Sequence, residues 1–259
     1  MRYLAVLLRS LGATLAADMS YREDFLVALF TTALETLGRV VALFAMVHAG
    51  VGLGGWRLEE ALLVVGAAVF LLGLHVGLVV PNLTAFSRRV LLGSLDFVLL
   101  RPTDAQFLLM FERVSLWGLP DLLAGAGLVL WAAAVLGLGG GRVLAFFLLL
   151  LLAGWLFYLL AFLVSLLAIW VVYVHNLINF LANFLRAGQY PAAAYGPGLR
   201  LFFTLVVPVY WMTTVPAEVA LGRAGWGAVL GLFAWVLAAF GLGRWLFRLA
   251  LRHYASASS

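Results

Sequence analysis

The chain has 259 residues, of which 66% are hydrophobic and 10% charged, against roughly 45–50% and about 25% in soluble domains. A water-soluble particle of this size cannot hide that much apolar surface, so most of the chain is solvated by lipid, and both an ordinary globular enzyme and a disordered chain are excluded. The net charge of +5 comes from 16 basic residues, all arginine, and there is no cysteine; this removes P-loop and Schiff-base lysines, disulfides and thiolate metal sites.

In chain order, Leu4, Leu7, Leu8, Leu11 and Leu15 recur at helical spacing, with Arg2, Arg9 and Ser10 elsewhere on the wheel. Residues 1–20 therefore read as an amphipathic helix in the membrane interface, too short and too interrupted by Arg9 to span. Six segments are long and apolar enough to cross a bilayer: 25–48, 58–80, 114–136, 143–165, 199–215 and 226–247. Their unbroken runs lack the alternation of a membrane barrel. The fold class predicted is an all-α polytopic membrane protein, one transmembrane domain of six helices preceded by the interfacial helix.

Two connectors are not simple spans. In the loop 81–113, Ser87 to Leu100 reads as a short amphipathic helix: Ser87 as N-cap, Leu91, Leu95 and Val98 as its apolar stripe, Arg101-Pro102 as its stop. It is either a connector resting on the membrane or a partner-docking element. In 166–198, His175 to Arg186 places Asn176, Asn179, Asn183 and Arg186 on one face and Leu177, Phe180, Leu181, Phe184 and Leu185 on the other, the pattern of an interfacial helix. Pro208 and Pro216 make the fifth span short and broken, and residues 215–223 read as an outer helix or a re-entrant piece.

Arginine placement sets the orientation. With the N-terminus cytoplasmic, Arg2, Arg9, Arg22, Arg88, Arg89, Arg101, Arg113, Arg186, Arg200, Arg244, Arg248 and Arg252 fall inside, and Arg57, Arg142 and Arg223 outside. Both termini are then cytoplasmic, and the basic excess serves topology and lipid headgroups, so nucleic acid is not expected as a partner.

Within the spans, Thr32, Glu35, Thr36 and Arg39 share a face of the first helix. Glu35 and Arg39 are candidates for a translocation path, or an i,i+4 pair that neutralises itself and fastens the helix to a neighbour. Asp121 is a second candidate, able to contact substrate or to pair with Arg113 or another helix. His75 lies between Gly73 and Gly77, a close-packing signal, and is expected to make an interhelical hydrogen bond. No histidine pair has ligand spacing and no hydrolase motif occurs, so neither a metal site nor a catalytic residue is expected.

Three stretches carry a family resemblance: Leu99-Leu100-Arg101-Pro102; Ala187-Gly188-Gln189-Tyr190-Pro191 with Tyr195; and Leu205-Val206-Val207-Pro208 through Thr214-Val215-Pro216-Ala217-Glu218. In their order and spacing the chain resembles the permease subunits of bacterial type-2 ATP-binding-cassette (ABC) exporters, and within them the branch encoded as a pair beside one ATPase. The likeness implies a coupling helix at Ser87–Leu100, with Ser87, Arg88, Arg89, Leu91, Leu95 and Arg101 meeting a cytoplasmic ATPase dimer, and a second ATPase-facing loop at Arg186, Gln189 and Tyr190. It implies a second, related permease chain, a place in the bacterial inner membrane, and ATP with Mg held by the partner, this chain binding no cofactor. Export of an amphiphilic or hydrophobic substrate is the function expected. The competing class is an ATP-independent carrier or channel acting as a homo-oligomer, but the two halves of the chain show no convincing repeat.

Overall fold

Long runs of Leu, Val, Ala and Phe, with proline confined to first turns and breaks, fold as helices in the computed structural model, which describes residues 12, 22–101, 104–170 and 175–254. Among the described residues there is no strand. Residues 1–11 and 13–21, which hold most of the expected interfacial helix, lie outside the described residues, as does Pro102.

Helix α1 spans Arg22–His48 and α2 Leu58–Leu91, the latter about 50 Å long at 1.5 Å per residue. A π-helical turn, His75–Val79, interrupts α2 just before Pro81, whose ring forbids the regular i→i−4 bond. Two short helices follow, α3 at Asp96–Leu99 and α4 at Ala105–Phe111. Then come α5 (Leu116–Val135) and α6 (Gly140–Ile169). Helix α7 is His175–Ala187, α8 Pro197–Leu205, α9 Tyr210–Ala220 and α10 Trp226–His253. Five helices (α1, α2, α5, α6 and α10) are long and apolar enough to cross a membrane; α8 and α9, bent by 80° at the break between them, bring the number to six if counted as one span.

The centre of the bundle is the seam between α2 and α5. Gly66, Gly73 and Gly77 on α2 meet Gly118 and Gly125 on α5 so closely that backbone touches backbone; a Cβ on Gly73 would lie 2.6 Å from the Leu122 nitrogen. Small residues allow this approach where lipid gives no hydrophobic drive between helices. Asn82 fastens the lower end of the seam. Its amide donates to the carbonyls of Leu78 (2.7 Å) and Arg113 (2.6 Å), and its carbonyl accepts the Arg113 N–H at 2.8 Å.

The ends of α2 define the two ends of the molecule. At the Leu58 end, Glu60 accepts the Arg57 N–H at 2.8 Å and pairs with Arg223 at 2.7 Å, and Arg223 lies over the Trp56 ring. At the Leu91 end, Tyr254 accepts the Leu95 N–H at 3.3 Å. Both α6 and α10 therefore run from the Leu58 end to the Leu91 end, and the chain must return between Ile169 and Arg223. It does so in pieces. Helix α7 climbs against α2 and α6, and Gly188 just beyond it abuts Val209 and accepts a hydrogen bond from the Thr213 hydroxyl at 2.9 Å. Helix α9 completes the ascent, and residues 189–208 form an excursion between the two.

This path corrects two expectations. The return crossing is not a single helix over 199–215. The segment 166–198 is not an interfacial connector either, because Ala182 and Leu185 are buried and Leu181 partly buried against the bundle, so α7 climbs instead of lying flat. The side chains of residues 175–178 lie outside the described residues.

Candidate functional site

Two regions carry chemistry or exposed surface beyond what lipid contact requires. The first is the Leu91 end. The single helix expected over Ser87–Leu100 is two pieces: α2 runs on to Leu91, Gly93 turns the chain at φ +65°, and α3 begins at Asp96. A left-handed residue cannot sit inside a helix, and glycine takes it without the Cβ clash. Ser87 is not an N-cap; it lies inside α2 and donates to the Leu83 carbonyl at 3.0 Å. Leu95 and Val98 are buried, but Leu91 is exposed and does not share their stripe.

What remains outward is an apolar ridge of Leu91, Leu92, Phe97 (73% exposed) and Leu100 (81% exposed), with Arg88 exposed beside it. The base of this ridge is held by ions. Glu112 pairs with Arg89 at 2.5 Å and with Arg101 at 3.5 Å. Asp104 caps α4 by accepting the Phe107 N–H at 2.9 Å and pairs with Arg244 of α10 at 2.6 Å; Arg244 also donates to Gln106 at 3.2 Å. Partial burial pushes the Asp104 carboxyl up, but the Arg244 guanidinium and the Phe107 N–H outweigh it and hold the group below the usual carboxylate range. An outward apolar ridge on a rigid, ion-paired base has the anatomy of a docking surface.

The expected second contact with the same partner does not join it. Beyond α7, Ala193 sits against Gly54, and the Ala192 N–H donates to the Thr214 hydroxyl at 3.3 Å. Gln189 and Tyr190 thus belong to a turn toward the Leu58 end, and one peripheral partner cannot touch both ends. Their Gly-Gln-Tyr-Pro sequence suggested a loop, but only the buried face of α7 shows where the loop is carried.

The second region lies within the bundle, between α1, α5 and α7. Helix α1 turns Thr32, Thr36 and Arg39 inward and leaves Glu35 at the edge, its side chain 60% exposed. This corrects the expectation of one shared inward face for all four. Arg39 Nη2 pairs with Glu35 at 2.9 Å, while the Arg39 side chain is only 13% exposed. Asp121 accepts the Thr32 hydroxyl at 3.2 Å and lies within electrostatic reach of Arg39, Glu35 and Arg186. Arg186, exposed on α7, also reaches His75 electrostatically, and Asn179 bonds the His75 side chain. The buried atoms Thr36 Oγ1, Arg39 Nη1 and His75 Nδ1 have no hydrogen-bond partner among the described residues. Arg186 is therefore within electrostatic reach of both Asp121 and His75, a relation that linear spacing could not reveal because α7 is distant in sequence. No group of three or more His, Asp or Glu that could hold a metal occurs among the described residues.

Residues 33–258 match the family model described as ABC-2 family transporter protein, and the chain belongs to that family, the membrane permeases of type-2 ABC transporters. No curated protein and no solved structure matches the chain.

Proposed function

We propose, with that membership as premise, that this chain is the membrane-spanning subunit of an ATP-driven exporter of amphiphilic or hydrophobic molecules. A separate pair of cytoplasmic ATPases binds the nucleotide and Mg, and a second, related permease completes the path. The chain sits in the bacterial inner membrane with the Leu91 end and both termini cytoplasmic. The bias of Arg88, Arg89, Arg101, Arg113, Arg244, Arg248 and Arg252 toward that end supports this orientation.

The observation that carries the reading is the exposed ridge Leu91–Leu100 on its ion-paired base. A force applied there has defined routes inward. Helix α2 is continuous with the ridge, Asn82 ties α2 to the start of α5, Arg244 ties α4 to α10, and Tyr254 ties α10 to Leu95. Closure of the ATPases would thus move α2, α5 and α10 together. Arg88, Leu91, Leu92, Phe97 and Leu100 form the contact, Arg89 and Arg101 brace it, and Ser87 and Leu95 act from inside.

The test is affinity purification of the tagged chain from its host membrane in mild detergent. Recovery of a nucleotide-binding ATPase and a second multi-span chain is expected. Recovery of the chain alone, or as a homo-oligomer, would overturn the reading in favour of an ATP-independent carrier. With Phe97→Glu and Leu100→Glu combined, the ATPase should be lost while the elution volume of the chain is unchanged, because both side chains are exposed.

A further inference from the structure

We propose that Thr36 and Arg39 form a membrane-embedded oxyanion site that takes the anionic headgroup of the amphiphile this permease moves. The inference rests on the exporter reading and adds the substrate's chemical class, an apolar body with a phosphate, sulfate or carboxylate head.

A guanidinium can only donate hydrogen bonds. Arg39 spends one arm of its fork on Glu35 at 2.9 Å, while Nη1 is buried and has no acceptor among the described residues. One turn away on the same face, the Thr36 hydroxyl is equally buried and unpartnered. Two unpaired buried donors within one turn of the same helix face, at membrane depth, carry a desolvation cost that an acceptor can relieve. A phosphate or carboxylate head supplies two or more acceptor oxygens, and Arg binds such groups through two parallel bonds.

Glu35 and Asp121 balance Arg39 and Arg186, and Asp121 already takes the Thr32 hydroxyl, so the free donors and not a net charge select the ligand. The opposite face of α1 is apolar and open, with Phe30, Leu34, Leu37 and Val41 exposed.

The experiment uses the full chain in detergent micelles, with native mass spectrometry of lipid retained from equimolar phosphatidylglycerol and phosphatidylcholine. Wild type should retain the anionic lipid preferentially. Glu35→Gln with Arg39→Gln, which keeps the local charge at zero, should lower that preference by about tenfold, the scale of one charge-assisted hydrogen bond. Thr36→Val, which keeps shape and charge, should lower it severalfold and serves if the double variant does not fold. Arg252→Gln, at the exposed end of α10, should leave it unchanged. An unchanged preference in both site variants, or a loss equal to theirs in Arg252→Gln, would overturn the site. Retention of inorganic phosphate with no preference between the lipids would overturn the amphiphile as its source. None of these readings requires the ATPase, so failure here and failure of the co-purification are separate results.

Discussion

Helices α2 and α1 are both apolar and both long enough to span, yet 72% of the most hydrophobic stretch of α2 is buried and only 11% of that of α1. Hydrophobicity thus says that each is in the membrane and nothing about what each touches. Helix α2 is locked by glycines against α5 and by Asn82 to the Arg113 backbone. Helix α1 holds the bundle through a thin line of residues, Phe25, Ala28, Thr32, Thr36, Arg39 and Leu43. The seam of α2 and α5 is the frame against which other parts move. The loosely held α1 is free to present its polar face to a ligand and its apolar face to lipid or a second chain.

One substitution, made on the α5 side of the α2 seam and again on α1, breaks this comparison most sharply. Gly118→Leu drives a side chain into the backbone of Gly73 and Gly77 and should destabilise the protein by more than about 3 kcal/mol. Gly38→Leu on α1 meets nothing within 4 Å and should change stability by less than about 1 kcal/mol, the propensity difference alone. Thermal unfolding in detergent, read by static light scattering, distinguishes them; equal losses would refute the division into frame and loose helix. Next in size, Asn82→Leu strands the Arg113 N–H and carbonyl and should cost about 2–3 kcal/mol.

The smallest effect probes the tie to α10. Asp104→Asn keeps an acceptor for the cap and removes the charge facing Arg244. The Asp104 pKa is depressed in the folded state, so its stabilising contribution is full above the ordinary value of 3.8 and fades as pH falls through the lower folded value. Wild type should exceed the variant at pH 7 by no more than about 1 kcal/mol, as for a solvent-screened pair. The gap should close below about pH 4, and a gap constant with pH would show that the charge is not what holds α10.

The membrane class and its long helices were legible because a bilayer imposes one length on every span. The pairing of Glu35 with Arg39 was legible because i,i+4 spacing fixes it on any helix, and the Gly73–Gly77 contact because small residues four apart make a groove. Three features were not. The break at Gly93 was hidden by an unbroken amphipathic pattern on either side, which a single left-handed residue redirects. The electrostatic reach of Arg186 to Asp121 joins residues 65 apart in sequence through the fold. The ascent of α7 was misread because its asparagine face fits a water interface as well as a polar interior; only the packing of Ala182 and Leu185 separates the two.

The divided return crossing has a consequence for biogenesis. Helix α7 has 13 residues, about 20 Å, and α9 reaches about 16 Å, so neither spans the roughly 30 Å of hydrocarbon by itself. Neither can leave the insertion machinery sideways as a finished span. Each must be received by surfaces already standing, α7 by α2 and α6, and α9 by α6. The translating ribosome therefore lays down the frame first, and this crossing is completed only when Arg223, just beyond α9, can reach back to Glu60.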